Sequence, residues 1–290
     1  MSSQLLFQAL VNGVLTGSLF GLIATGLTLV WGVMKIVNFA HGEFLMVGLY
    51  LVYFLVASAG LDPYVTLLIS PVVMFVLGAV MYQAFIRPVL RAPSMNQILL
   101  TLGLSLVIQS LALAIFSADI LFAPTRYGQY VFRYGVVVVD LPRVVAALVA
   151  AVAAGALYWL LQRTDLGRSI RAVAQDPDAA ALMGIDVART NLVAFGLATA
   201  TLGVAASVMS PFYYVSPTVG LLLGLFAFVV VVLGGLGNIV GAVLGGLVIG
   251  LVESVGSALM PGSLARVVTF GLFVLMVLLR PQGLFGRVDR

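Results

Sequence analysis

Residues 190–252 read TNLVAFGLATATLGVAASVMSPFYYVSPTVGLLLGLFAFVVVVLGGLGNIVGAVLGGLVIGLV, and none of these side chains is charged. A helix crosses the ~30 Å hydrocarbon core of a bilayer with about 20 apolar residues. The stretch is therefore too long for one crossing and holds two or three, joined by turns inside the protein. Its apolar runs are continuous rather than alternating, which excludes a transmembrane barrel and leaves helices.

The same pattern extends in both directions. Charges are missing from 1–34, 44–61, 63–86, 92–118 and 144–162. These gaps predict crossings at 7–33, 43–60, 64–86, 97–117, 142–162, 190–210, 220–235, 238–260 and 264–280. The segment 220–235 is short enough to be re-entrant, so the expectation is an all-α, polytopic transmembrane helix bundle of eight or nine spans. No basic flank or small-residue cleavage site accompanies the first apolar segment, which reads as a retained span.

Composition agrees. Of 290 residues, 62% are apolar and 8% charged, against ~45–50% and ~25% in soluble domains. That excludes a soluble enzyme, which lacks no charge on its surface, and it excludes disorder. Cysteine is absent and His41 is the sole histidine, so disulfides and thiolate chemistry disappear and no metal site is expected. Lys35 is the sole lysine and the arginines are scattered, which speaks against nucleic acid as a partner.

Basic residues gather on the inner side of a membrane protein. An external N-terminus with nine spans puts Lys35, Arg87, Arg91, Arg163, Arg168, Arg171, Arg189, Arg280, Arg287 and Arg290 inside, and Arg126, Arg133, Arg143 and Arg266 outside. The C-terminus is then cytoplasmic and the N-terminus periplasmic. The chain divides into a first half (1–141), a linking span (142–162), a cytoplasmic loop (163–189) and a second half (190–290), all within one membrane domain (1–290).

Gly13, Gly17 and Gly21, and again Gly237, Gly241 and Gly245, recur at every fourth position. Such spacing packs helices closely in lipid or, less commonly, lines a groove for a ligand. Two breaks are more informative: Trp31 to Phe44, and Ser210 to Gly220. If four spans on each side pair around the central fifth (4+1+4), these breaks correspond and the halves are inverted. Paired interruptions of that kind border the substrate route in transporters, because unwound backbone offers free N–H and C=O groups. They are otherwise ordinary connecting loops. Asn38, His41 and Glu43 favour the first reading, since polar residues bounded by apolar helices are rarely idle. Glu253 must sit at the outer interface, pair with Arg266 or line a wet cavity.

The inner loop differs from its surroundings. Asp176-Pro177-Asp178 is a helix start, with a capping aspartate, proline at the first helical position and an acid in the first turn. Gly184 ends that helix. Ile170, Val173 and Ala174 recur at helical intervals just before it. The loop either stitches two spans together or docks a soluble partner.

Asp178-Ala179-Ala180 followed by Gly184 resembles the Glu-Ala-Ala-x-x-x-Gly coupling loop of ABC importer permeases, with aspartate in place of glutamate. Asn38-Phe39-Ala40-His41-Gly42-Glu43-Phe44, Thr101-Leu102-Gly103-Leu104-Ser105, Thr164-Asp165-Leu166-Gly167-Arg168 with Arg171-Ala172, and Val232-Leu233-Gly234-Gly235-Leu236-Gly237-Asn238 extend the likeness over nearly the whole chain. Together they resemble the bacterial high-affinity branched-chain amino acid ABC permeases. A more distant likeness, from Leu166 through Leu251, is to the ribose-type sugar permeases. Lys35 departs from the small uncharged residue often found in relatives.

The resemblance implies a permease subunit of an ATP-driven importer in the bacterial inner membrane, moving leucine, isoleucine and valine. It implies a second related permease, two cytoplasmic ATPases that hold ATP and magnesium, and a periplasmic substrate-binding protein. This chain would bind no cofactor, in keeping with the absence of a Gly-x-x-x-x-Gly-Lys-Ser/Thr loop. Gly167, Arg168, Arg171, Asp178, Ala179, Ala180 and Gly184 would meet the ATPase. Asn38, Phe39, His41, Gly42, Glu43, Phe212, Tyr213, Tyr214, Pro217 and Thr218 would border the path, with backbone near Asn38 and Tyr213 at the charged head and Phe39 and Phe212 at the tail. Closely similar permeases handle urea, short amides or aromatic acids, and a passive channel is the rival from another class. In this cysteine-free chain, Asp178→Cys should react with a membrane-impermeant maleimide in inside-out vesicles and not in intact cells; labelling from outside would invert the topology.

Overall fold

A peptide group without a partner costs several kcal/mol in hydrocarbon, so each apolar run closes its backbone hydrogen bonds within a helix. The computed structural model describes residues 3–123, 130–134, 137–260, 262–280 and 282–285. Arg126, Arg287 and Arg290 lie outside the described residues.

The order is α1 (Ser3–Met34), α2 (His41–Ala57), α3 (Thr66–Met81), a π-helical turn (Tyr82–Ile86), α4 (Arg87–Val89) and α5 (Ser94–Phe116). A hairpin of β1 (Val131–Tyr134) and β2 (Val137–Asp140) precedes α6 (Leu141–Arg163). Then come α7 (Asp165–Gln175), α8 (Pro177–Leu182), α9 (Val187–Met209), α10 (Val219–Gly234), α11 (Ile239–Leu259) and α12 (Gly262–Leu279). Among the described residues, six helices are long and apolar enough to cross a membrane: Gln4–Met34, Thr66–Val89, Ser94–Phe116, Leu141–Arg163, Val187–Met209 and Ile239–Leu259. Three shorter apolar helices, His41–Ala57, Val219–Gly234 and Leu264–Leu279, overlap the other expected crossings.

Among the described residues, the β1–β2 strand pair and an isolated bridge between Leu121 and Val215 depart from an all-helical reading. The two strands pair antiparallel, Val131 opposite Asp140 and Tyr134 opposite Val137. Valine is stiff at χ1 and suits a pleated strand. Gln8 on α1 holds the hairpin down, donating to the Val138 carbonyl (2.7 Å) and accepting from its N–H (2.8 Å).

The two halves interleave. α1 lies along α11 and also meets α9, α3 lies along α9, and α2 crosses α10. Contacts of α1 with α10 are matched by contacts of α2 with α9. Glycine sets the α1–α11 distance. A methyl on Gly13 would stand 2.8 Å from Leu251 Cα, and one on Gly17 2.7 Å from the Gly246 carbonyl oxygen. The two glycine ladders do not face one another: α1 meets Gly246 and Gly250, while Gly241 and Gly245 turn the opposite side of α11 toward Gly234 and Val230 of α10.

Hydroxyls stitch α3 to α9. Thr66 donates to Ser207 (3.0 Å), Ser70 to the Gly203 carbonyl (3.1 Å) and Thr199 to the Met74 carbonyl (2.9 Å). Gly203 makes room for Pro71, which sits inside α3. Interhelical hydrogen bonds in membranes average ~0.6 kcal/mol. The triple variant Thr66→Val, Ser70→Ala, Thr199→Val should therefore lose about 2 kcal/mol of stability, measured by denaturant unfolding in detergent micelles.

Candidate functional site

Both sequence breaks fall between helices. α1 stops at Met34, where Lys35 takes a left-handed conformation (φ 57°). Such a backbone suits glycine and is strained for lysine. The chain then returns along α1, and α2 begins at His41. Nε2 of His41 lies 3.0 Å from the Ile23 carbonyl. Ile23 is about 16 Å from the end of α1 at 1.5 Å per residue, so α2 starts deep within the bundle and not at its surface.

Here α2 and α10 cross near their N-terminal ends, and Gly42 makes the crossing possible. A methyl on Gly42 would collide with the Gly220 carbonyl oxygen and approach Gly224 Cα to 2.7 Å. Side chains of any size are shut out, so backbone meets backbone where two helices present their first turns, whose dipoles add partial positive charge; the His41 and Val219 amides already donate to the Asn38 and Ser216 carbonyls.

Three polar side chains converge on the crossing: Asn38, His41 and Glu43 are 3%, 2% and 1% exposed. Asn38 Oδ1 accepts from the Ala40 N–H (3.1 Å), and Glu43 Oε1 from the Ser105 hydroxyl (3.4 Å). Each nevertheless keeps one atom without a hydrogen-bond partner: Asn38 Nδ2, His41 Nδ1 and Glu43 Oε2. A buried polar atom left unpaired costs about 1–3 kcal/mol. Glu43 Oε2 points at Gly220, where a side chain would strike it. Beside the crossing is a pocket of about 40 Å³, walled by Leu27, Asn38, Phe39, His41, Gly220, Leu221, Gly224, Leu225 and Phe228. That is room for water and not for an amino acid. Phe39, Leu221 and Leu225 are exposed on the chain's outer surface, and Phe39 stacks on Phe228 with ring centroids 6.0 Å apart.

The second group of expected path residues lies elsewhere. Phe212, Tyr213 and Tyr214 do not line this pocket. Val215 pairs with Leu121 through backbone hydrogen bonds of 2.8 and 2.9 Å, Arg143 stands over the Phe212 ring, and Tyr213 stacks on Tyr214. Burial, reinforced by Tyr214 and Glu253, holds the Tyr213 phenol above its ordinary value. Pro217 is buried and Thr218 exposed just before α10. Gly224 and Phe228 reach the site from α10 without a local sequence signal, and Ser105, the last residue of the Thr101–Ser105 stretch, reaches it from α5.

The inner loop forms the expected short helix. Asp176 caps α8 by accepting from the N–H groups of Asp178 and Ala179, both at 2.9 Å. At its end the Ile185 N–H bonds the Ala180 carbonyl (3.1 Å) and the Gly184 N–H the Ala181 carbonyl (3.0 Å), with Gly184 at φ 83°. This paired closure is the Schellman arrangement. α7 is amphipathic: Ile170 and Val173 are buried, and Gly167 packs against the Leu161 carbonyl where no side chain fits. Arg168 pairs with Asp165, and Arg171 is half-buried. Ala180 is buried, Asp178 and Ala179 are exposed, and Leu182 and Met183 stand 89% and 83% exposed. Those last two residues carried no motif and are visible only in the structure.

Interleaved apolar helices, two short helices that cross near their N-terminal ends inside them, and a capped helix at their edge fit a polytopic subunit of a membrane transporter. The chain belongs to the family described as the branched-chain amino acid transport system permease component, whose model matches residues 9–277. It is 32% identical over 304 residues to the high-affinity branched-chain amino acid transport system permease protein LivH of Escherichia coli K12, covering 100% of this chain and 99% of that protein. The corresponding BraD of Pseudomonas aeruginosa is 32% identical over 295 residues, covering 97% and 96% of the two chains. A probable branched-chain amino acid transport permease protein LivH of Methanocaldococcus jannaschii is 30% identical over 296 residues, covering 96% and 91%. No solved structure matches.

Gly42→Ala should destabilise the crossing by about 1–3 kcal/mol through overpacking. Gly103→Ala, where an added methyl meets nothing within 4 Å, should be neutral or stabilising. Thermal unfolding of the two variants in detergent checks the contrast.

Proposed function

We propose that this chain is the membrane-spanning subunit of an ATP-driven importer of branched-chain amino acids in the bacterial inner membrane. Full-length similarity to permeases of that name supports the substrate class. On this reading the chain works with a second related permease, two cytoplasmic ATPases holding ATP and magnesium, and a periplasmic binding protein. It binds no cofactor itself, and its C-terminus and 163–189 loop face the cytoplasm. Asn38, Phe39, His41, Gly42 and Glu43 border the path at the α2–α10 crossing; Phe212, Tyr213, Tyr214, Pro217 and Thr218 form its outer approach. On this reading the path runs along the face that a second permease would cover, where Phe39, Leu221 and Leu225 are exposed.

The observation that carries the coupling role is α8. A helix closed at both ends by its own residues moves as a rigid body, and it presents Leu182 and Met183 bare to water. Gly167, Arg168, Arg171, Asp178, Ala179, Ala180 and Gly184 make up this element and its base, and the two apolar tips would enter a groove on the ATPase. Closure of the ATPases would drag α8 with it and, through α7, tilt α1 and α9, against which α7 packs. The halves would then rock about the α2–α10 crossing. The reciprocal pairing of α1 with α11 and α9 with α3 supports inverted, two-fold related halves in a 4+1+4 arrangement.

Gly184→Val places a β-branched residue at positive φ, a strain of about 1–3 kcal/mol, with nothing else nearby to disturb. Leucine uptake in cells carrying the chain and its partners should fall more than tenfold while the amount in the membrane is unchanged. Undiminished uptake would remove the coupling role, and uptake that persists without ATP hydrolysis would favour a passive channel.

A further inference from the structure

Asn38, His41 and Glu43 lie within six residues of one another, are almost fully buried, and each leave one atom unused. Those atoms are chemically unlike. Nε2 of His41 faces a carbonyl, which only accepts, so Nε2 carries the proton and Nδ1 of the neutral ring is a bare acceptor. Asn38 spends its oxygen on the Ala40 N–H, which leaves the amide nitrogen as a donor. Glu43 accepts from Ser105 at Oε1 and, in its ionised form, leaves Oε2 as an acceptor. Asn38 and His41 share the wall of the pocket with Gly220, at which Glu43 Oε2 is aimed.

Two acceptors and one donor therefore sit where two helix N-termini add partial positive charge. That set complements a ligand with a cationic donor at one end and an anionic acceptor beside it. The remaining wall is apolar: Leu27, Leu221, Leu225 and Phe228. We propose that this pocket is a binding site for the head group of an α-amino acid. The ammonium donates to His41 Nδ1 and Glu43 Oε2. The carboxylate accepts from Asn38 Nδ2 and from the first-turn amides of Gly42 and Gly220, since the His41 and Val219 amides already donate to the Asn38 and Ser216 carbonyls. The aliphatic side chain lies against Leu221, Leu225 and Phe228. The proposal rests on the permease reading and narrows it, because urea and simple amides have no carboxylate for the donors to meet. At about 40 Å³ the pocket is closed to an amino acid and fills only when α2 and α10 part at Gly42, Gly220 and Gly224.

The test uses the complete transporter in nanodiscs, turning over ATP without the binding protein, and a diazirine analogue of leucine as photoprobe. Label should map to Leu221, Leu225 or Phe228. Excess leucine should abolish it, whereas equal amounts of leucinamide (no carboxylate) or 4-methylpentanoate (no ammonium) should not. Glu43→Gln and Asn38→Asp should each lower labelling at least tenfold; the latter keeps the oxygen that accepts from Ala40. Label elsewhere, competition by leucinamide as strong as by leucine, or indifference to both variants would overturn the site. The competition arm needs no mutation, so it decides even if a variant misfolds. ATP-driven leucine uptake by the wild-type transporter with its binding protein is measured in parallel. Uptake with the wrong labelling sinks the head-group site alone, and no uptake sinks the permease reading together with it.

Discussion

Lipid gives two apolar helices no hydrophobic reason to associate, because a leucine is as comfortable against an acyl chain as against another leucine. What holds this bundle together is close approach: backbone against backbone at glycine, gaining dispersion contacts that a lipid tail would not match. The α1–α11 seam is the clearest case, with Gly13 and Gly17 on one side and Gly246 and Gly250 on the other. α11 carries glycine on two faces and so bridges α1 and α10.

The same close approach has a different consequence at the centre. Where α2 and α10 cross, the glycines leave no side-chain volume, yet the neighbouring Asn38, His41 and Glu43 bring polar atoms that the protein itself does not satisfy. A membrane interior punishes unpaired polar groups severely. Three of them together, beside two helix N-termini, mark a place where the structure is arranged around something other than its own stability. Elsewhere the hydroxyls of Thr66, Ser70 and Thr199 each find a partner across the α3–α9 contact, whereas the buried Thr28 and Tyr50 hydroxyls stand singly without one.

α8 sits at the opposite extreme. It is short and peripheral, yet its geometry is defined by hydrogen bonds of its own: two from Asp176 at the start and a double closure around Gly184 at the end. A helix of this length has little intrinsic stability, and the caps supply the definition that length does not. Leu182 and Met183 are exposed although nothing in their surroundings requires apolar side chains there. Rigidity and bare apolar tips together suit an element that works against another protein.

Most of the helices and the inner loop were legible in the sequence, for reasons that are local. Uncharged runs of about 20 residues must be helical in hydrocarbon, and capping is decided within a few residues of Asp176 and Gly184. Asn38, His41 and Glu43 stood out because polarity is conspicuous in an apolar chain. Which residues they would meet was not legible. Gly220, Gly224, Phe228 and Ser105 reach the site from remote positions, the β1–β2 hairpin is held by Gln8 from α1, and the two glycine ladders face different helices. A helix that is apolar on all sides has no amphipathic stripe to tell its lipid face from its buried one. Sequence therefore determined which segments are apolar helices and where α8 is capped. Tertiary structure alone decided which faces meet, because in a membrane that choice is made by shape and by pairing across helices rather than by polarity.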